Sequence, residues 1–92
     1  MKSAMAKHIL VKSKAEAESI KTKLNQGEDF AKLARKFSTC PTAKRGGDLG
    51  EIFQGQLVKV VEQVIFKKPL SQVHGPIKSK FGYHLIVIYF RD

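Results

Sequence analysis

Near the end of the chain eight consecutive residues, Tyr83-His84-Leu85-Ile86-Val87-Ile88-Tyr89-Phe90, are almost wholly apolar and rich in β-branched and aromatic side chains. That composition predicts a strand. Because successive side chains of a strand point to opposite sides, both faces of this one are greasy and both must be covered by other elements. The strand therefore belongs inside a sheet rather than at its edge. It is well short of the roughly 18 to 20 residues needed to cross a bilayer. With 92 residues in all, the chain fits one compact domain, 1–92, and 42% hydrophobic against 27% charged residues is a composition that folds.

The other elements are shorter. Lys7 to Lys12 reads as a strand, with His8 and Leu10 on one face and Ile9 and Val11 on the other, again apolar on both sides. Ser13 then offers a helix cap and Glu16, three residues on, completes a capping box. The helix buries Ala17, Ile20 and Leu24 and stops at Gly27. Phe30, Leu33, Ala34 and Phe37 mark a second amphipathic helix, led by Glu28 and Asp29 and trailed by Arg35 and Lys36, a charge order that complements its dipole.

From Ser38 to Gly50 the hydrophobic period vanishes and a loop of little regular structure is expected, in which Pro41 keeps Cys40 out of helical conformation. Leu49 to Phe53 predicts a short strand, and Leu57, Val61, Val64 and Ile65 one side of a third helix. Gly75-Pro76 marks a turn or the start of a strand, and Ile77 to Ser79 pairs with Tyr83 to Phe90 as a hairpin. Strand, two helices, loop, strand, helix and hairpin make an α+β domain with an antiparallel or mixed sheet.

Several function classes fall away. One cysteine, Cys40, excludes an internal disulfide, and His8, His74 and His84 do not have metal-ligand spacing, so no metal is expected. The opening residues lack the apolar stretch of a secretory signal, which makes a cytoplasmic chain the expectation. The formal charge is +9, yet the lysines form no block of five or six, so contact with nucleic acid is expected only through non-specific charge. Tyr83 and Tyr89 share a strand face, but Leu85 and Val87 between them are aliphatic, unlike the aromatic platforms that stack bases. A basic nucleic-acid-binding domain is the alternative reading.

Two histidines lie in apolar strands, His8 in the first and His84 in the last. If those strands are neighbours, the rings can bond to each other or to a shared hydroxyl, which buried rings require. Cys40, in a loop able to fold over them, is a candidate for a polarised thiol. A cysteine hydrolase would use the same pieces, with Asp48 the carboxylate in that loop able to orient a base. Spacing alone does not separate the two.

His8-Ile9-Leu10-Val11-Lys12, Lys44-Arg45-Gly46-Gly47-Asp48-Leu49-Gly50-Glu51, Gly55-Gln56, Gly75-Pro76 and Phe81-Gly82-Tyr83-His84, in that order and spacing, resemble the parvulin-type peptidyl-prolyl isomerases over nearly the whole chain. The resemblance implies a four-stranded antiparallel sheet surrounded by helices, and catalysis of cis/trans rotation about X-Pro bonds without a cofactor. It implies that His8, His84 and Cys40 form the catalytic core, with Ser79 bonded to the histidines. Leu49, Leu57, Val61 and Phe81 fall on the wall that receives the substrate proline. Many members carry methionine at the position of Leu57 and phenylalanine at that of Val61, so an aromatic wall is missing here; a proline-binding chaperone module without turnover is thus a further alternative. The expected partners are X-Pro-containing polypeptides, met by a monomer. Phosphate-directed members have an arginine-rich loop after the first strand; Lys12-Ser13-Lys14 stands there instead, and no preference for phosphorylated residues before proline is expected.

Overall fold

The computed structural model describes residues 2–92. Its centre is a four-stranded sheet built from β1 (Ser3–Val11), β2 (Asp48–Phe53), β3 (Val73–Ser79) and β4 (Gly82–Arg91), in the order β2-β1-β4-β3 with every neighbouring pair antiparallel. The two strands expected to be covered on both faces are the inner pair. Three helices, α1 (Lys14–Asn25), α2 (Phe30–Phe37) and α3 (Lys59–Lys67), supply the cover.

Alternation along β1 and β4 splits the core in two. Ile9, Val11 and Leu85 pack with Ala17 and Ile20 of α1 and with Leu33 and Ala34 of α2. On the opposite face Ala4, Ala6, Ile86 and Ile88 pack with Ile52 and with Val61 and Ile65 of α3. α1 starts at the predicted cap, where Ser13 Oγ accepts from Glu16 N at 3.1 Å, and α2 is capped by Asp29, a carboxylate oxygen of which accepts from Lys32 N at 3.1 Å. Each such cap typically contributes about 1 kcal/mol.

Three expectations need correction. β1 begins at Ser3, not Lys7: Ala4 and Ala6 are poor strand formers, but their small side chains are what fits under α3. The segment after Ser38 is not without regular structure, because Pro41–Arg45 forms a short 3-10 helix with Pro41 in its first turn. None of its residues is buried, so no hydrophobic period marks it. Gly75-Pro76, a cis peptide, lies inside β3 rather than before it. An edge strand tolerates a proline there, and the pairing with β4 shifts register between His74 and Ile77.

Candidate active site

Register brings the histidines together. His8 of β1 lies opposite Ile86 and Leu10 opposite His84, so the two imidazoles are diagonal neighbours on one sheet face. Their Nδ1 atoms are 3.3 Å apart and the rings stack with centroids 5.5 Å apart. Ser79, at the end of β3, places Oγ 2.6 Å from His84 Nε2 and also accepts from Phe81 N at 3.1 Å. His8 Nε2 is buried and has no partner among the described residues. That fixes the proton order. If His8 donates from Nδ1 to His84, the atom left over is a bare nitrogen; the reverse order would bury an orphan N–H, which folded proteins avoid more strongly.

Both rings are neutral at physiological pH. Burial pushes His8 down to about 4, with the neighbouring His84 adding to the shift, and burial likewise lowers His84.

The segment bearing Cys40 is laced onto the stretch of β1 that β2 leaves unpaired. Thr39 N donates to Leu10 O at 2.8 Å, Leu10 N donates to Ser38 Oγ at 3.1 Å, and His8 N donates to Gly47 O at 2.9 Å. Gly47 can approach this closely only because it has no side chain. Its φ is +83°, and a Cβ there would fall 2.4 Å from His8 O. Cys40 is extended, with φ −78° and ψ 143°, as Pro41 requires. Its sulfur accepts from Thr42 Oγ1 at 3.2 Å.

Between this segment, α3 and the β3–β4 turn lies an apolar cleft of about 560 Å³. His8, His84 and Cys40 line it together with Leu49, Leu57, Val61 and Phe81, so seven of the sequence-predicted residues meet in one place. The eighth, Ser79, sits behind His84 as its hydrogen-bond partner. Leu57 precedes α3 instead of belonging to it, and Val61 is 97% buried, with only its edge reaching the cleft. Leu10, Thr39, Pro41, Gln56 and Val58 also line the cleft and were not singled out from the sequence. For Gln56 and Leu10 the signal existed, in the Gly55-Gln56 and His8-Ile9-Leu10-Val11-Lys12 motifs; Thr39 and Pro41 flank Cys40, and Val58 follows Leu57.

Asp48 does not orient a base. Its Oδ1 accepts from Gly50 N and from the Tyr89 hydroxyl, each at 2.9 Å, and the Gly50 amide above all holds the carboxyl below its usual range. That commitment removes the carboxylate a hydrolase reading needed. His74 bonds Pro69 O through Nε2 at 2.8 Å and is not part of the cleft lining. The Tyr83–Tyr89 strand face is no stacking platform either, since Leu85 between them is fully buried under α1 and α2. Among the described residues no group of three or more potential metal ligands occurs, and no helix is long and apolar enough to cross a membrane.

A family model, rotamase of the PPIC-type PPIase domain, matches residues 3–89. The foldase protein PrsA of Geobacillus sp. (strain WCH70) is 50% identical over 84 residues, which is 90% of this chain and 30% of that protein. A parvulin-like PPIase of Rickettsia prowazekii is 46% identical over 85 residues, 88% of this chain and again 30% of the relative. The chain thus spans under a third of the length of these curated relatives. Among solved structures, PrsA from Bacillus anthracis superposes with a TM-score of 0.95 at 34% identity, covering 99% of this chain and 42% of that one. The parvulin of Nitrosopumilus maritimus gives 0.87 at 41% identity, with 97% of each chain covered.

Proposed function

This chain belongs to the PPIC-type peptidyl-prolyl isomerase family, the parvulins, and on that premise we propose that its cleft catalyses rotation about X-Pro bonds in polypeptides without forming a covalent intermediate. The observation that carries this reading is the combination of an apolar cleft with a neutral, internally bonded histidine pair on its floor. Rotation about a peptide bond meets a barrier of about 18 to 20 kcal/mol because the C–N bond has partial double-bond character. A catalyst must bind the twisted amide better than either planar isomer.

Leu49, Leu57 and Phe81, with the edge of Val61, grip the pyrrolidine ring while the preceding carbonyl turns. As the amide twists, its oxygen loses the negative charge that resonance had placed there. A dry site that offers that oxygen few donors therefore favours the twisted state. The histidines suit this role: each spends a nitrogen on the other, His84 spends its second on Ser79, and neither has an N–H left over for the substrate carbonyl. Cys40 contributes polarity at the cleft wall rather than a nucleophile, and the carboxylate that could have completed a hydrolytic set is engaged elsewhere.

Exchange between the isomers of a short X-Pro peptide, followed by NMR with and without the chain, tests the activity; no acceleration sinks the proposal. Cys40→Asp separates the two mechanisms. Near-normal exchange is expected, and complete loss would support an obligatory thiol. A phosphoserine-proline peptide is expected to exchange no faster than its plain counterpart, since only Lys12-Ser13-Lys14 follows β1.

A further inference from the structure

The polar groups of the cleft are nearly all spoken for. The histidines are bonded to each other and to Ser79, and Thr39 Oγ1 donates to Leu10 O at 3.2 Å. Gln56 differs. Phe53 N lies 2.9 Å from its side-chain oxygen, and since a backbone N–H can only donate, the atom facing it must be the acceptor Oε1. The amide therefore has one permitted orientation, and Nε2, with two N–H bonds and no acceptor among the described residues, is left over at the cleft as a donor, beside the unpartnered His8 Nε2, which can only accept.

Further bonds hold the turn that presents this amide. Gln56 N donates to Phe53 O at 3.3 Å, closing the turn that its own side chain then braces from the other direction. Gly55, between them in positive φ, donates its N–H to Glu62 Oε1 and so ties the turn to α3. Gln56, Leu57 and Val58 are consecutive lining residues, so the brace also sets Leu57 against the proline site.

We propose that Gln56 is a substrate anchor, its Nε2–H donating to a backbone carbonyl of the bound polypeptide outside the rotating bond. The proposal rests on the isomerase reading and adds to it what holds the rest of the chain. Chemistry decides which carbonyl is served. A donor on the twisting carbonyl would favour the planar amide, where that oxygen is most negative, and would slow the reaction. A donor on a carbonyl beyond the rotating bond holds both isomers and the twisted state alike. Such uniform binding lowers KM and leaves kcat unchanged.

Gln56→Glu tests this, because it keeps an oxygen for Phe53 N and removes the donor. Exchange of a proline-centred hexapeptide is measured by NMR at increasing peptide concentration, in high salt so that the added charge is screened. The expected result is a KM raised about three- to tenfold, the worth of one neutral hydrogen bond, with kcat unchanged and Tm unchanged. Gln56→Ala should raise KM by a similar factor and also lower Tm, since it leaves Phe53 N unpaired. An unchanged KM in Gln56→Glu, or a fall in kcat at constant KM, overturns the anchor alone. A wild-type chain that accelerates no exchange overturns the activity beneath it.

Discussion

The floor of the cleft and its rim are built by opposite means. His8 and His84 are more than nine-tenths buried, and their positions follow from pairing between strands at the two ends of the chain. Phe81, on the rim, is 57% exposed, and Gln56 is exposed as well; each sits in a tight turn fixed by bonds to residues two or three positions away. The contrast assigns different tasks. A floor that must stay neutral and dry is bound up with global stability, whereas a rim held by local bonds can change to suit a substrate without unfolding the sheet.

Gly47→Val is the harshest trial of that division. Its Cβ would collide with the His8 carbonyl in a backbone conformation that valine avoids, so a loss of at least about 3 kcal/mol is expected in urea unfolding, with activity lost alongside. A well-folded Gly47→Val chain would show that the floor is not rigidly tied to the Cys40 segment. Acid gives the next largest effect. His8 titrates near 6.5 in the unfolded chain and about 4 in the folded one, so below 6.5 the unfolded state binds the proton first. Stability is full above pH 6.5 and falls by about 3 kcal/mol as the pH drops to 4, with His84 acting in the same direction. Flat stability across that window, measured by denaturant titration at each pH, would mean the floor is wet. The mildest change belongs to the rim. Phe81→Ala should cut kcat/KM about five- to tenfold through lost apolar contact, yet move stability by no more than about 0.5 kcal/mol. A large stability loss there would erase the distinction.

The floor was the more legible half in the sequence. Two histidines in strands greasy on both faces need partners, and strands of that kind belong at the centre of a sheet, so a meeting was open to them; the antiparallel pairing of β1 with β4 is what brings it about. The fold was legible for the same reason, apart from the first four residues of β1, the 3-10 helix and the first four residues of β3, where alanine, an unburied turn and a proline-bearing edge strand give no periodic signal. Of the rim, Phe81 and Leu57 came through resemblance to a family rather than through any physical pattern. Gln56 stood in a recognised motif, but the task proposed for it depends on which way an amide points, and that is decided by Phe53 N. Asp48 shows the converse: the sequence offered a carboxylate near a thiol, and only the fold turns it toward Tyr89.

Pairing of the first strand with the last has a kinetic corollary. His8 and His84 are separated by 76 positions, so the histidine contact forms only after a very large loop has closed. Loop closure on that scale places the domain among the slower, non-local folders. A chain still lacking β4 has one imidazole of the pair, no inner strand beside β1 and only part of the cleft's floor. Competence to turn proline bonds should therefore switch on in a single late event, with no partly active species on the way.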